Sequence, residues 1–132
     1  CELVIKEVKS GYTATYQMEK KTVMNWVFRK TGIWARIYGD NAGRYEEVIA
    51  ALPADMQKKM TASRDCKRLI DPDACSGTCV KGFVYSLNGE TQKKCRNDGM
   101  LFLLTEETAE YIAGLICAEV AVRKLALQQL NR

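Results

Sequence analysis

The stretch GYTATYQMEKKTVMNWVFRKTGIWARIY, Gly11 to Tyr38, decides the fold. Tyr12, Ala14, Tyr16 and Met18 alternate with Thr13, Thr15 and Gln17, the period-two pattern of a half-buried strand. Glu19-Lys20-Lys21 turns the chain. Thr22 to Phe28 is rich in β-branched and aromatic residues, Lys30-Thr31-Gly32 turns the chain again, and Ile33 to Tyr38 makes a further strand. Upstream, Leu3-Val4-Ile5 and Val8 form a short strand before the Ser10-Gly11 turn. Successive strands joined by short turns predict an antiparallel meander.

Beyond Tyr38 the pattern changes. Asp40-Asn41 breaks the strand and can cap a helix. Tyr45, Val48, Ile49 and Leu52 recur at helical spacing, Pro53 ends that helix or opens the next, and Ala54 to Ala62 carries Met56 and Met60. Phe83 to Leu87 then meets Asn88-Gly89, the signal of a two-residue hairpin turn, and Glu90 to Arg96 returns. Met100 to Leu104 is an apolar run read as a buried strand. Thr105 caps a last helix, with Glu106 and Glu107 in its positive first turn. That helix extends to Leu130, about 37 Å at ~1.5 Å per residue. The expected fold is α+β. An antiparallel sheet (N-terminal meander plus a later hairpin) joins two short helices, a cysteine knuckle and a long C-terminal helix packed on the sheet. All of it falls in a single domain, residues 1–132.

Cys66, Cys75, Cys79 and Cys95 fall within one stretch, spaced Cys66-x8-Cys75-x3-Cys79-x15-Cys95, in a chain with no histidine. Four thiolates are a complete tetrahedral set for zinc, and the same set suits an iron–sulfur cluster, the less favoured cofactor here. Cys75 and Cys79 flank a Gly-containing turn, and Cys95 sits on the return strand of the hairpin. Lys67, Arg68, Lys81, Lys94 and Arg96 flank the cysteines and would offset the net negative charge of a zinc ion held by four thiolates. The spacing lacks the paired CxxC signature, so two disulfides remain the alternative, with Cys1 and Cys117 making six cysteines in all. Cys117 lies among Ala113, Gly114, Ile116, Val120 and Ala121 and reads as a buried thiol.

A second candidate site is a ligand pocket formed by Trp26, Trp34, Arg36, Tyr38, Asp40 and Asn41, at a strand end leading into a helix start where an anion can bind. The competing reading packs the aromatics under helices and uses Asp40 and Asn41 as caps. Without histidine, no nucleophile–base pair is visible. Glu46-Glu47 and Glu106-Glu107 are adjacent on helices and face different directions, so neither pair forms an acid–base dyad.

The run Trp34-Ala35-Arg36-Ile37-Tyr38-Gly39-Asp40-Asn41, followed by Cys66, Asp71-Pro72, Cys75-x3-Cys79 and Lys94-Cys95-Arg96, resembles small uncharacterised bacterial domains with a four-cysteine segment. The resemblance covers about residues 22–120, and it implies no activity.

Charge and hydropathy narrow the partners. The net charge of +4 is mild and no run of like charge occurs, so nucleic acid is not an expected partner. The most apolar stretch, Tyr111 to Val122, contains Glu119 and is too short to span a bilayer. The compartment reads as cytoplasmic, with export or a lipid anchor on Cys1 as the alternative. Tyr111, Leu115, Ala118, Val122 and Leu125 form a stripe that a homodimer through the C-terminal helix would bury. The leading function is a non-enzymatic binding or interaction module for a small molecule or protein, built round a structural zinc site. The alternatives are a secreted or surface-anchored disulfide-stabilised domain, and a thiol-redox or small-molecule enzyme using Cys75 or Cys79.

Overall fold

A computed structural model describes residues 2–8, 11–70 and 81–130. The alternating N-terminal segment folds as four strands: β1 (Glu2–Val8), β2 (Gly11–Met18), β3 (Lys21–Arg29) and β4 (Gly32–Ile37). Each runs antiparallel to the one before it. Strands β5 (Phe83–Leu87) and β6 (Glu90–Lys94) form a separate ribbon. Its turn residues Asn88 and Gly89 take φ of 53° and 81°, as a two-residue hairpin requires. The short β7 (Leu101–Leu103) lies along β4 and completes a five-stranded sheet in the order β1-β2-β3-β4-β7.

The helices are α1 (Glu46–Ala50), entered through a 3-10 turn at Ala42–Arg44, then α2 (Ala54–Ala62), α3 (Lys67–Ile70) and the 25-residue α4 (Glu106–Leu130). The fold is α+β. Pro53 stands just outside α2, where its missing N–H costs nothing. Thr105 caps α4 in a reciprocal box: Thr108 N–H donates to Thr105 Oγ1 at 3.1 Å, and Thr105 N–H donates to Thr108 Oγ1 at 2.9 Å. No described helix is long and apolar enough to cross a membrane.

One irregularity shapes the core. Tyr16 faces Met24, but Gln17 faces Thr22, which leaves Val23 unopposed in a β-bulge. Val23 and Met24 are consequently both buried, at 1% and 2% exposure, although they are sequence neighbours. They join Ala35, Ile37 and Phe102 from the sheet, Ile49 and Met60 from the short helices, and Ile112 and Leu115 from α4. The ribbon contributes Phe83, Tyr85 and Leu87 to this core and turns Val84 and Ser86 outward.

The rotation of α4 corrects one expectation. With Ile112, Leu115 and Glu119 facing the sheet, position 117 lies about 200° round from Leu115, and Cys117 is exposed instead of buried. Ala113, Gly114 and Ala121 share its face and are exposed with it, whereas Ile116 and Val120 pack at the margin of the core. The stripe considered for self-association is divided in the same way. Leu115 is in the core and Ala118 and Val122 pack at its margin, while Tyr111 and Leu125 stand 37% and 52% exposed.

This packing separates two substitutions only two residues apart on α4. Leu115→Ala should cost about 2–5 kcal/mol in urea unfolding, whereas Cys117→Ala should change stability by less than about 0.5 kcal/mol. A thiol reagent should label Cys117 rapidly in the native protein. Slow labelling, or equal costs for the two variants, would place the wrong face of α4 on the sheet.

Candidate functional site

The cysteine segment is organised by backbone pairing. Residues 64–66 leave α2 and run antiparallel to residues 93–95, with Asp65 opposite Lys94. Cys66 N–H donates to Lys93 O at 2.9 Å, and Cys95 N–H donates to Arg64 O at 2.8 Å. Alternate residues of such a pair share a side. Asp65 and Lys94 point one way, joined by a 2.7 Å ion pair. Cys66 and Cys95 therefore share the other side as diagonal neighbours, a relation that separates Cβ atoms by roughly 7 Å. Gly82 N–H donates to Cys66 Sγ at 3.3 Å.

Gly82 has to be glycine at this junction: a Cβ there would lie 1.8 Å from Lys94 O. Lys94 is buried, and its ammonium also donates to Thr61 O and Ser63 O, holding the end of α2 against β6. Arg64 pairs with Asp98 at 2.8 Å, and its guanidinium is pushed above its ordinary range by Asp98 first and Cys95 second. Cys75 and Cys79 lie outside the described residues. Among the described residues no group of three or more Cys, Asp or Glu side chains is gathered to hold a metal.

The residue after Cys95 leads to a second assembly. Glu119, on the inner side of α4, has no solvent exposure. Its Oε1 accepts Asn41 N–H at 3.0 Å and Tyr45 O–H at 2.8 Å. Its Oε2 accepts Asn41 Nδ2–H at 2.8 Å and Arg123 Nε–H at 2.7 Å. Those four donors match the roughly four lone-pair sites of a carboxylate. Arg123 also donates to Thr22 O at 3.0 Å and Tyr38 O at 3.1 Å, and it reaches Asp40 Oδ2 at 3.4 Å. Asp40 in turn accepts Arg96 Nε–H at 2.9 Å, and the Arg96 guanidinium lies 4.1 Å from the Tyr38 ring centroid. Glu119, Arg123, Asp40 and Arg96 thus form a chain of alternating charge from the core to the cysteine segment. Burial first, and the neighbouring Glu119 carboxylate second, push the Tyr45 phenol well above its ordinary range. Burial alone pushes Tyr85 up to about 12.

Of the six residues expected to line a pocket, Tyr38, Asp40 and Asn41 come together in this assembly. Neither Asp40 nor Asn41 caps a helix: the 3-10 turn has no side-chain cap, because Asn41 is engaged with Glu119. Arg36 donates to Asn97 O at 3.0 Å. The two tryptophans are on opposite faces of the sheet. Trp26 pairs across the strands with Ala35, toward α4, whereas Trp34 pairs with Val27. A cavity of about 350 Å³ opens beside the assembly, between Met18 and Glu19 on one side and Ala126 and Leu127 on the other, with Asp40 and Arg123 at its polar end.

Sequence reasoning missed Glu119, Arg123, Tyr45 and Arg96. One signal was present: Glu119 continues the inward spacing of Ile112 and Leu115, with Arg123 one turn later. No protein-family model, curated protein or solved structure matches the chain.

The raised phenols predict a pH dependence. A tyrosine in the unfolded chain ionises near pH 10, but Tyr45 and Tyr85 stay neutral when folded. Their contribution is complete below that pH and is lost as pH rises, for Tyr85 between about 10 and 12. Unfolding free energy should fall above about pH 10 by up to ~1.4 kcal/mol per pH unit for each of the two groups. Urea unfolding of Tyr45→Phe and Tyr85→Phe across that range should give shallower slopes than the parent, and parallel slopes would refute the assignment.

Proposed function

We propose that the chain is a non-enzymatic binding or interaction module whose 64–96 segment is locked by one structural zinc ion on Cys66, Cys75, Cys79 and Cys95. The observation that supports this reading is the backbone junction that sets Cys66 and Cys95 on one side, with the Gly82 N–H on the Cys66 sulfur. That donor is what a metal-bound thiolate needs around it. Arg64 beside Cys95, and Arg96 next to it in sequence, supply positive charge against the net charge of a four-thiolate zinc site. An iron–sulfur cluster would draw on the same thiols. The zinc would act as a cross-link, because its binding free energy is folding free energy for the segment it ties. A binding role, as opposed to a catalytic one, is supported by the Glu119 assembly, whose donors and acceptors are spent on each other. The exposed Tyr111 and Leu125 at the two ends of the α4 stripe support self-association through that helix.

Native mass spectrometry tests these points together. The expected spectrum shows a dimer, and a zinc ion per chain that a chelator removes and a reductant does not. The thiols of the 64–96 segment should become reactive when the metal leaves. A metal-free chain lighter by about two mass units per cysteine pair, and restored by reductant, would establish the disulfide-stabilised alternative. A monomer at tens of micromolar would remove the dimer.

A further inference from the structure

The sheet face turned away from α4 gathers cations that form no ion pair among the described residues. Strand alternation places Arg29 on β3, and Trp34 and Arg36 on β4, on that face: Arg29 lies opposite Gly32, Trp34 opposite Val27 and Arg36 opposite Asn25. β7 adds Leu103 beside Trp34 and Leu101 beside Arg36. Lys59 reaches across from α2, its ammonium 4.7 Å from the Trp34 ring centroid, while the Arg29 guanidinium stands 5.9 Å from the same centroid. Arg64, Lys94, Arg96 and Arg123 each hold a carboxylate. Arg29, Arg36 and Lys59 hold none among the described residues. Two like charges over one indole ring, with a third two residues along the strand, make a positive potential that an anion would relieve.

We infer that this face docks an extended, acidic segment of a partner polypeptide in which carboxylates alternate with apolar side chains. The inference rests on the reading of the chain as an interaction module but not on the metal. The face supplies what such a segment needs. Residues two apart on a strand repeat every ~6.6 Å, the same period as alternate side chains of an extended peptide. The half-buried Trp34, Leu101 and Leu103 offer apolar contact beside the cations. Single-stranded nucleic acid fits less well, because it needs aromatic faces open for base stacking. Two cations already stand over the Trp34 ring, and its indole N–H is spent on Thr31 Oγ1 at 3.0 Å.

The test uses the full chain carrying Trp26→Phe, so that Trp34 alone reports, and a fluorescein-labelled peptide of alternating glutamate and leucine. A lysine–leucine peptide and labelled oligothymidylate serve as the competing probes. The acidic peptide should bind, change Trp34 emission and weaken as salt rises. The double reversal Arg29→Glu/Lys59→Glu, with an unchanged circular dichroism spectrum, should weaken it at least about tenfold, while Lys124→Glu on α4 should leave it unchanged. Failure of the acidic peptide to bind, oligothymidylate binding as tightly, or indifference to the double reversal would each overturn the proposal. Binding that persists after chelation would separate this surface from the zinc reading, and a zinc mass with no peptide binding would leave the zinc reading standing without this surface.

Discussion

A carboxylate with no exposure to water has to be held by donors that the fold cannot give up. Glu119 is in that position on α4. Removing such a charge from water costs several kcal/mol, and only saturated hydrogen bonding with a paired cation offsets that cost. Asn41, Tyr45 and Arg123 supply the bonds. Each donor fixes a different part of the molecule. Asn41 and Tyr45 fix the loop and 3-10 turn after β4. Arg123 fixes β3 through Thr22 O and the end of β4 through Tyr38 O. The rotation of α4, and so the choice of Ile112 and Leu115 as its core residues, follows from keeping the carboxylate inside this set.

The same charges continue outward to the cysteine segment. Asp40 shares its carboxylate between Arg123 and Arg96, and Arg96 follows Cys95 directly. The buried Lys94, one residue before Cys95, anchors the other flank to the end of α2. The described half of the cysteine segment is thus held by two cations that flank Cys95: Lys94 binds the end of α2 and Asp65, and Arg96 binds Asp40, which Arg123 of α4 shares. In the proposed reading, a metal would cross-link a segment already positioned by these contacts, and the partner-binding surface would lie on the sheet face turned away from α4.

Much of the fold was legible because its signals are local. Period-two alternation marked the meander, Asn88-Gly89 marked the ribbon, and Thr105 with Glu106 and Glu107 marked the start of α4. What was not legible depends on register or rotation. Trp26 and Trp34 look equivalent in sequence, but pairing Trp26 with Ala35 sends them to opposite faces. The bulge that buries both Val23 and Met24 leaves no mark on composition. α4 is apolar over most of its surface, so periodicity alone does not show that Cys117 faces outward. Of the four cysteines that the sequence spacing grouped, the described residues include Cys66 and Cys95, and backbone pairing shows how these two come to share one side. The Glu119 assembly escaped because its members are far apart in the chain and each looks ordinary in its own segment.

A double-mutant cycle between Glu119 and Arg123 tests the central constraint most directly. Glu119→Gln, Arg123→Met and the double variant would be compared with the parent by urea unfolding. If the carboxylate organises the molecule, each single variant strands a buried partner, and the double variant is less damaged than the two costs together, with a coupling of about 2 kcal/mol or more. Costs that add to within about 0.5 kcal/mol would show that Glu119 and Arg123 act independently, and would contradict the account.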